Sequence, residues 1–143
     1  MNTFERRRGL AGLAFSLVAG GLAIGTWHDP DFWFTANQRG NWQMKHHRYQ
    51  QAEKTFSDPW HIGVAQYRQG NFEDAAHTFL RTPGSAGAYN EGNAWLMHGA
   101  YDNAITRYDR ALALQPNLQA ARDNKAIAIA RRDADRGASG VSS

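Results

Sequence analysis

Residues 89–116, YNEGNAWLMHGAYDNAITRYDRALALQP, carry the pattern that most constrains the fold of this 143-residue chain. Small and aromatic residues recur there at helical spacings and a proline closes the segment: Gly92, Tyr101, Ala104, Tyr108, Ala111 and Pro116. Small residues let two helices approach closely, aromatic rings fill the space beside them, and a proline cannot continue a helix. The pattern predicts two antiparallel helices packed against each other.

This arrangement resembles the tetratricopeptide repeat, a helix–turn–helix unit of about 34 residues whose arrays form extended binding surfaces. Two weaker copies precede it. Residues 60–81 contain Gly63, Ala65, Gly70, Phe72, Ala75 and Phe79, and residues 35–56 contain Gly40, Tyr49, Ala52 and Phe56. The steps between the aligned alanines, Ala52, Ala75 and Ala104, are shorter than the standard repeat, which predicts shortened second helices and tight turns.

After Pro116 a helical pattern extends from about Leu118 to Arg132 without a second helix, as expected of the capping helix that repeat arrays need. Residues 133–143 are predicted to be a flexible tail, because residues 136–143 are rich in Gly and Ser. No segment has a strand pattern. We therefore predict an all-α protein, with a short right-handed tetratricopeptide-repeat α-solenoid over residues 35–132 that comprises about three helix pairs and a capping helix.

An uncharged apolar segment, LAGLAFSLVAGGLAIGTW, occupies residues 10–27 and predicts a single transmembrane helix. Arginines at positions 6–8 precede it, and Asp29 and Asp31 follow it. By the positive-inside rule, residues 1–9 stay in the cytoplasm, residues 28–34 form an interfacial linker, and the repeats face the periplasm. This predicts a bacterial inner-membrane protein. A cleaved signal peptide with a faint twin-arginine motif is the alternative.

Small residues recur four apart within the apolar segment, and such a strip lets another transmembrane helix approach closely. The strip consists of Gly12, Ser16, Gly20, Gly21 and Gly25. The strip is therefore predicted to pack against a partner helix. The alternative is that it has no partner, because glycine is also common in weak membrane anchors.

Charge and composition exclude several classes of function. The formal net charge is +3, but three of the 16 Lys and Arg residues precede the apolar segment and the rest of the chain is nearly balanced. Both signs are interspersed there, so we expect no nucleic-acid partner. The chain has no cysteine, which excludes disulfides, thiolate metal sites and thiol nucleophiles.

The six histidines do not form a metal motif. His46 and His47 are adjacent, so their side chains diverge on a helix, and no His-Glu-x-x-His motif is present. The chain also lacks the Gly-x-Ser-x-Gly motif of serine hydrolases. We therefore predict a protein that is not an enzyme, with no catalytic residues, no metal, no cofactor and no small-molecule substrate.

Three stretches of the soluble part are similar to the repeat portion of bacterial von Willebrand factor A–tetratricopeptide membrane proteins of the Bat type, which are usually encoded beside MoxR-type ATPases. They are DFWFTANQRG at residues 31–40, YQQA at residues 49–52 and DPWHIGVAQYRQGNFEDAAHTF at residues 58–79, and the similarity continues to about Ala128. The chain differs from that family because no von Willebrand A domain precedes the apolar segment. Ala36 and Asn37 also replace the usual proline and acidic residue. The resemblance implies a periplasmic module that binds a partner during assembly or maturation of envelope or redox complexes.

The repeat resemblance also implies a binding groove, because the first helix of each unit lines the concave face of such arrays. The matching positions are Asn37, Asn41, Trp60, Val64, Tyr67, Arg68, Tyr89, Asn93, Leu96, Met97 and Asn124. Asn93 and Asn124 match two asparagines of the repeats that grip carboxylates, although Tyr89 stands where those repeats have a lysine. The alternative is that these asparagines bond backbone between helices, as in plain consensus repeats. Trp60 is a possible core residue, and Trp95 is assigned to the core.

The favoured function is a membrane-anchored scaffold or adaptor that binds a protein partner during assembly or stabilisation of an envelope complex. A second hypothesis within binding functions is a constitutive accessory subunit held through its transmembrane helix. A third, from another class, is a heme- or metal-handling maturation factor, because repeat modules of the cytochrome-maturation kind also sit on membrane anchors.

Overall fold

The computed structural model of the chain describes residues 34–140, and these residues form seven α-helices and no β-strand. In chain order the helices are α1 (Ala36–Lys45), α2 (Tyr49–Thr55), α3 (Pro59–Gln69), α4 (Phe72–Phe79), α5 (Gly84–His98), α6 (Tyr101–Leu114) and α7 (Gln119–Gly140). The prediction of an all-α fold is confirmed. The predictions for residues 1–33, including the apolar segment and its glycine strip, and for residues 141–143 lie outside the described residues.

The contacts divide the chain into two units, between Arg39 and Gly40. In the first unit the described residues include the first turn of α1. Thr35 and Gln38 cap it reciprocally: the Gln38 N–H donates to Thr35 Oγ1 (3.2 Å), and the Thr35 N–H donates to Gln38 Oε1 (2.8 Å). This capping box stabilises the helix start by satisfying two backbone donors.

In the second unit, each helix from α2 to α7 packs against its neighbours in chain order, and α5 also contacts α7. The most extensive contact is between α5 and α6. Contacts between successive helices are consistent with an α-solenoid, in which each unit touches only the next.

A glycine and an aromatic ring meet in each of three helix pairs. A Cβ atom added at Gly63 would lie 2.8 Å from Cε1 of Phe79, and one added at Gly92 would lie 2.7 Å from Cε1 of Tyr108. Gly40 faces the ring of Phe56 in the same way. The sequence spacing from glycine to aromatic ring is identical in the three pairs, so the repeated spacing corresponds to a repeated contact.

The second helices of the first two pairs are short, as predicted from the spacing of the alanines. Helix α2 has 7 residues and α4 has 8, whereas α6 has 14. The dipeptide Asp58-Pro59 is typical of a helix start. Asp58 caps α3 by accepting from the His61 N–H (3.0 Å), and Pro59 occupies the first turn of that helix.

Two boundaries differ from the sequence analysis. Pro83, Gly84 and Ser85 are residues typical of a turn, but helix α5 begins at Gly84 and the turn lies just before it at residues 80–82. Helix α7 continues through residues 133–140, where a flexible tail was expected. The reason lies in α6, where Asp102 accepts from Arg132 Nη1 (3.3 Å) and Arg136 Nη2 (3.0 Å) and so holds this end of α7.

Within residues 34–140, no helix is both long enough and apolar enough to cross a lipid bilayer.

Candidate functional site

A pocket of about 220 Å³ opens between α3 and α5. Helix α3 contributes Val64, Tyr67 and Arg68, which share one face because they are three and four residues apart. Helix α5 contributes Asn90 and Asn93, also on one face of their helix. The buried ring of Phe79, from α4, completes the lining.

Asn93 connects this pocket to a hydrogen-bond network across α5, α6 and α7. Its Oδ1 atom accepts from the hydroxyl of Tyr108 (2.8 Å) and from Nδ2 of Asn124 (2.8 Å). The same Asn124 nitrogen also donates to the hydroxyl of Tyr89 (3.1 Å). Since both partners of the Asn93 oxygen are donors, the network fixes the orientation of the Asn93 amide at the pocket wall.

The phenols around the pocket are neutral near neutral pH. Burial raises the pKa of Tyr67, and the neighbouring Tyr89 adds to this rise while Arg68 opposes it. Burial also raises the pKa of Tyr108, whose side chain is fully enclosed. Neutral phenols can both donate and accept hydrogen bonds, so these side chains provide polar contacts without adding negative charge.

Arg68 provides the positive charge of the pocket. Its side chain is exposed, and among residues 34–140 it has no ion pair or hydrogen bond. A guanidinium group presents five N–H donors in a planar fork that fits a carboxylate. The pocket therefore combines an apolar wall with a cation that is available to a ligand.

The structure brings together six of the predicted groove residues. Four line the pocket and two belong to the attached network: Val64, Tyr67, Arg68 and Asn93, then Tyr89 and Asn124. Met97 is exposed to 49%. Asn41 is exposed on α1 and does not line this pocket, and the exposed Asn37 belongs to the other unit.

Leu96 and the backbone bonds expected of Asn93 and Asn124 need correction, and for Trp60 the core contact left open by the sequence is observed. Leu96 is buried in the core around Tyr108 and Ala111, because it follows Gly92 by one helical turn and shares its buried face. Trp60 is half-buried, with its ring centroid 5.9 Å from that of Phe79, so it serves the core as well as the surface. Asn93 and Asn124 bond other side chains, not backbone groups between helices.

The sequence analysis missed Asn90, Phe79 and Tyr108 as contributors to this site. Asn90 could have been found from helical spacing, because it lies three residues before Asn93. Its Nδ2 donates to the Ala86 carbonyl (2.9 Å), which leaves the amide oxygen directed to other partners. Tyr108 reaches Asn93 from the neighbouring helix, and no short-range pattern indicates that contact.

The pocket presents apolar side chains, two amides and one exposed guanidinium group. No three His, Asp or Glu side chains in residues 34–140 come together in a way that could hold a metal ion. A comparison with protein-family models finds no match to this chain, and a comparison with curated proteins finds no similar protein.

Proposed function

We propose that this chain is a tetratricopeptide-repeat scaffold that binds a segment of a partner protein in the pocket between α3 and α5. The chain would be anchored in a bacterial inner membrane through residues 10–27, with the repeats in the periplasm and no enzymatic activity of their own. The repeated glycine–aromatic contact supports the repeat assignment. The resemblance to Bat-type proteins supports a role in assembling or stabilising an envelope complex.

The observation that carries the proposal is the combination of Arg68 with an apolar wall. Val64, Tyr67 and Phe79 provide apolar surface for one side chain of the partner, and Asn90 and Asn93 provide amide groups for its backbone. Arg68 favours an acidic group beside that side chain, because charge-assisted hydrogen bonds to a carboxylate are stronger than neutral ones. Aromatic and arginine residues also dominate the binding energy of protein interfaces.

The test is capture of partner proteins by the full chain, purified in mild detergent and compared by quantitative mass spectrometry. The double variant Tyr67→Ala with Arg68→Ala is expected to lose most of the specific partner while its helical content, measured by circular dichroism, stays unchanged.

The matched control is Arg110→Ala with Leu114→Ala on α6. It also removes one arginine and one bulky apolar residue, and both side chains are exposed. Asp102 and Arg107 are unsuitable controls, because Asp102 binds α7 and Arg107 Nε lies 2.9 Å from the buried Glu91 carboxylate.

Equal capture by the groove variant and the wild type would refute the groove. If capture is instead lost with Gly21→Leu and Gly25→Leu, the chain is an accessory subunit held through its membrane segment. Stoichiometric heme or metal in the purified protein would point to a maturation factor.

A further inference from the structure

The positive charge of the second unit is concentrated at its N-terminal end. Residues 58–140 contain nine Lys and Arg residues and nine Asp and Glu residues, so they are balanced. Residues 40–57 contain Lys45, Arg48 and Lys54 against a single acid, Glu53. A local excess of one charge sign is a physical signal for a partner of the opposite sign.

One of these cations, Arg48, lies over an exposed aromatic ring at the turn between α1 and α2. Trp42 is 49% exposed, and His46 stacks on its indole with the ring centroids 4.1 Å apart. The guanidinium carbon of Arg48 lies 4.9 Å from the centroid of the same indole. We call Trp42, Lys45, His46, His47 and Arg48 the α1–α2 patch; all five are exposed.

The backbone of the turn presents this patch outward. His47 has a φ of 58°, in the left-handed region, so the chain reverses sharply between the two helices. Its Nδ1 atom lies 2.5 Å from the hydroxyl of Tyr49, which holds the ring against the start of α2. The cationic side chains are therefore carried on a fixed turn.

No carboxylate neutralises the patch from within the described residues. Lys45 and Arg48 have no ion pair there, and Arg48 instead lies over the indole. Glu53, the nearest acid in sequence, accepts from Gln66 Nε2 (3.0 Å) and Gln69 Nε2 (2.6 Å). Both oxygens of Glu53 are thus occupied, and the charge of the patch is left for an external anion.

We infer that the α1–α2 patch binds the anionic headgroups of a phospholipid surface. Trp rings favour the boundary between hydrocarbon and water, and Lys and Arg near a membrane are attracted to anionic lipids. In sequence the patch follows closely on the segment predicted to span the membrane. Its closeness to the membrane rests on the anchor in the proposed function, whereas the charge, exposure and geometry of the patch do not.

The surface is too small for nucleic acid to be the better partner. A protein that follows a phosphate backbone needs a stripe of cations, and residues beyond the patch carry balanced charge. One compact aromatic and cationic turn instead matches a lipid surface, where a Trp ring sits among headgroups.

The experiment places the full chain in lipid nanodiscs and measures how close the patch lies to the lipid. The chain has no cysteine, so Gln50→Cys allows one fluorescent label beside the patch, and Ala113→Cys on α6 gives a label elsewhere. Spin-labelled lipid quenches a fluorophore that approaches the membrane. We expect quenching of the Gln50→Cys label to be at least about twofold greater in nanodiscs with phosphatidylglycerol than in phosphatidylcholine alone, and to fall with added salt.

The deciding variant is Lys45→Glu with Arg48→Glu, which should abolish the phosphatidylglycerol-dependent quenching. Its matched control is Arg110→Glu with Arg131→Glu, an equal charge change at exposed arginines outside the patch. Quenching that is the same in both lipids, or equally sensitive to both charge reversals, would overturn the inference. Binding of a fluorescent oligonucleotide that requires Lys45 and Arg48, without lipid-dependent quenching, would assign the patch to nucleic acid and also overturn it.

Failure of the anchor gives a different result from failure of the patch. A chain that does not incorporate into nanodiscs refutes the anchor in the proposed function. The patch is then tested by co-sedimentation of the same protein with phosphatidylglycerol and phosphatidylcholine vesicles. Binding only to the anionic vesicles, lost with Lys45→Glu and Arg48→Glu, supports the inference, and equal binding to both overturns it.

Discussion

Each glycine that faces an aromatic ring lets the two helices of its pair approach closely, because it has no Cβ atom to meet the ring. The rings of Phe79 and Tyr108 are almost completely buried, so neither can move aside without disturbing its neighbours. An alanine methyl at Gly63 or Gly92 would lie within 3 Å of ring carbons, closer than van der Waals contact allows. Comparing an alanine substitution at such a glycine with one at a glycine that faces no ring therefore separates the effect of packing from the effect of helix propensity.

We predict that Gly92→Ala lowers the free energy of unfolding by about 1–3 kcal/mol, because the methyl group overpacks the contact with Tyr108. The matched control is Gly137→Ala in α7, where an added Cβ meets no atom within 4 Å. There the same substitution should raise stability by up to about 0.5–1 kcal/mol through helix propensity. Urea denaturation measures both, and effects of the same sign would contradict the contact.

Glu91 is a buried carboxylate, 4% exposed, on the side of α5 that faces α6. Burial raises its pKa above the ordinary value of 4.5, while Arg107, a hydrogen bond from Trp95 and the nearby His77 oppose that rise. The folded state therefore holds the Glu91 proton more tightly than the unfolded state does. This contribution to stability is fully present below the unfolded pKa and is lost as pH rises through the folded pKa.

We therefore expect wild-type stability, measured relative to Glu91→Gln, to decrease as the pH rises from below the ordinary glutamate pKa towards neutrality. Urea denaturation of both proteins across this range gives the difference directly. In an Arg107→Ala background the decrease should be steeper, because the carboxylate then lacks its cation. A difference that is constant or grows with pH would show that Glu91 is not buried as described.

Contacts with α6 determine how far helix α7 extends. Asp102 on α6 binds Arg132 and Arg136, and Lys125 Nζ lies 2.5 Å from Asp109 Oδ1. Exposed pairs of this kind are weak individually, but two arginines on one carboxylate act on successive turns of the same helix. They keep residues 133–140 helical although their composition resembles a flexible tail.

We predict that Asp102→Ala loosens the end of α7 without unfolding the protein. Backbone amides of residues 133–140 should exchange about two- to fivefold faster in hydrogen–deuterium exchange, and high salt should produce a similar change in the wild type. Asn103→Ala, the neighbouring exposed residue on α6, serves as the control and should leave exchange unchanged. If Asp102→Ala also has no effect, another contact determines where α7 ends.

At the scale of the whole molecule, the sequence predicts an orientation across a membrane. Three arginines precede the apolar segment, and by the positive-inside rule they predict that the N-terminus stays in the cytoplasm. The described helices would then work in the periplasm, where the proposed partner must also be found.

We predict that alkaline phosphatase fused after Ser143 is active in cells, because the fusion is exported, and that the mature protein retains Met1. Replacing Arg6, Arg7 and Arg8 by glutamate should reduce the activity, since it removes the charges that orient the segment. A mature N-terminus near Thr26 would show that the segment is a cleaved signal and that the protein is released.

The contacts inside a helix pair were determined by the sequence alone. A glycine, an alanine and an aromatic residue recur at constant spacing, and a short turn leaves few ways for the two helices to meet. The all-α class, the short α2 and α4 and the cap at Asp58 could therefore be predicted. Four of the pocket residues were also among the groove positions that the repeat resemblance implies, because it assigns the first helix of each unit to the concave face.

Which other side chains enter the core or the pocket, and which polar groups bond each other, could not be predicted. These features depend on how helices from different parts of the chain rotate and pair. Helix rotation placed Leu96 in the core and Asn90 in the pocket, although both are close in sequence to Asn93. Asn93 and Asn124 are far apart in sequence, and their hydrogen bond exists only because α5 and α7 pack together. Periodicity specifies which face of a helix is apolar, but the partner of a polar side chain is set by whichever helix the chain later brings beside it.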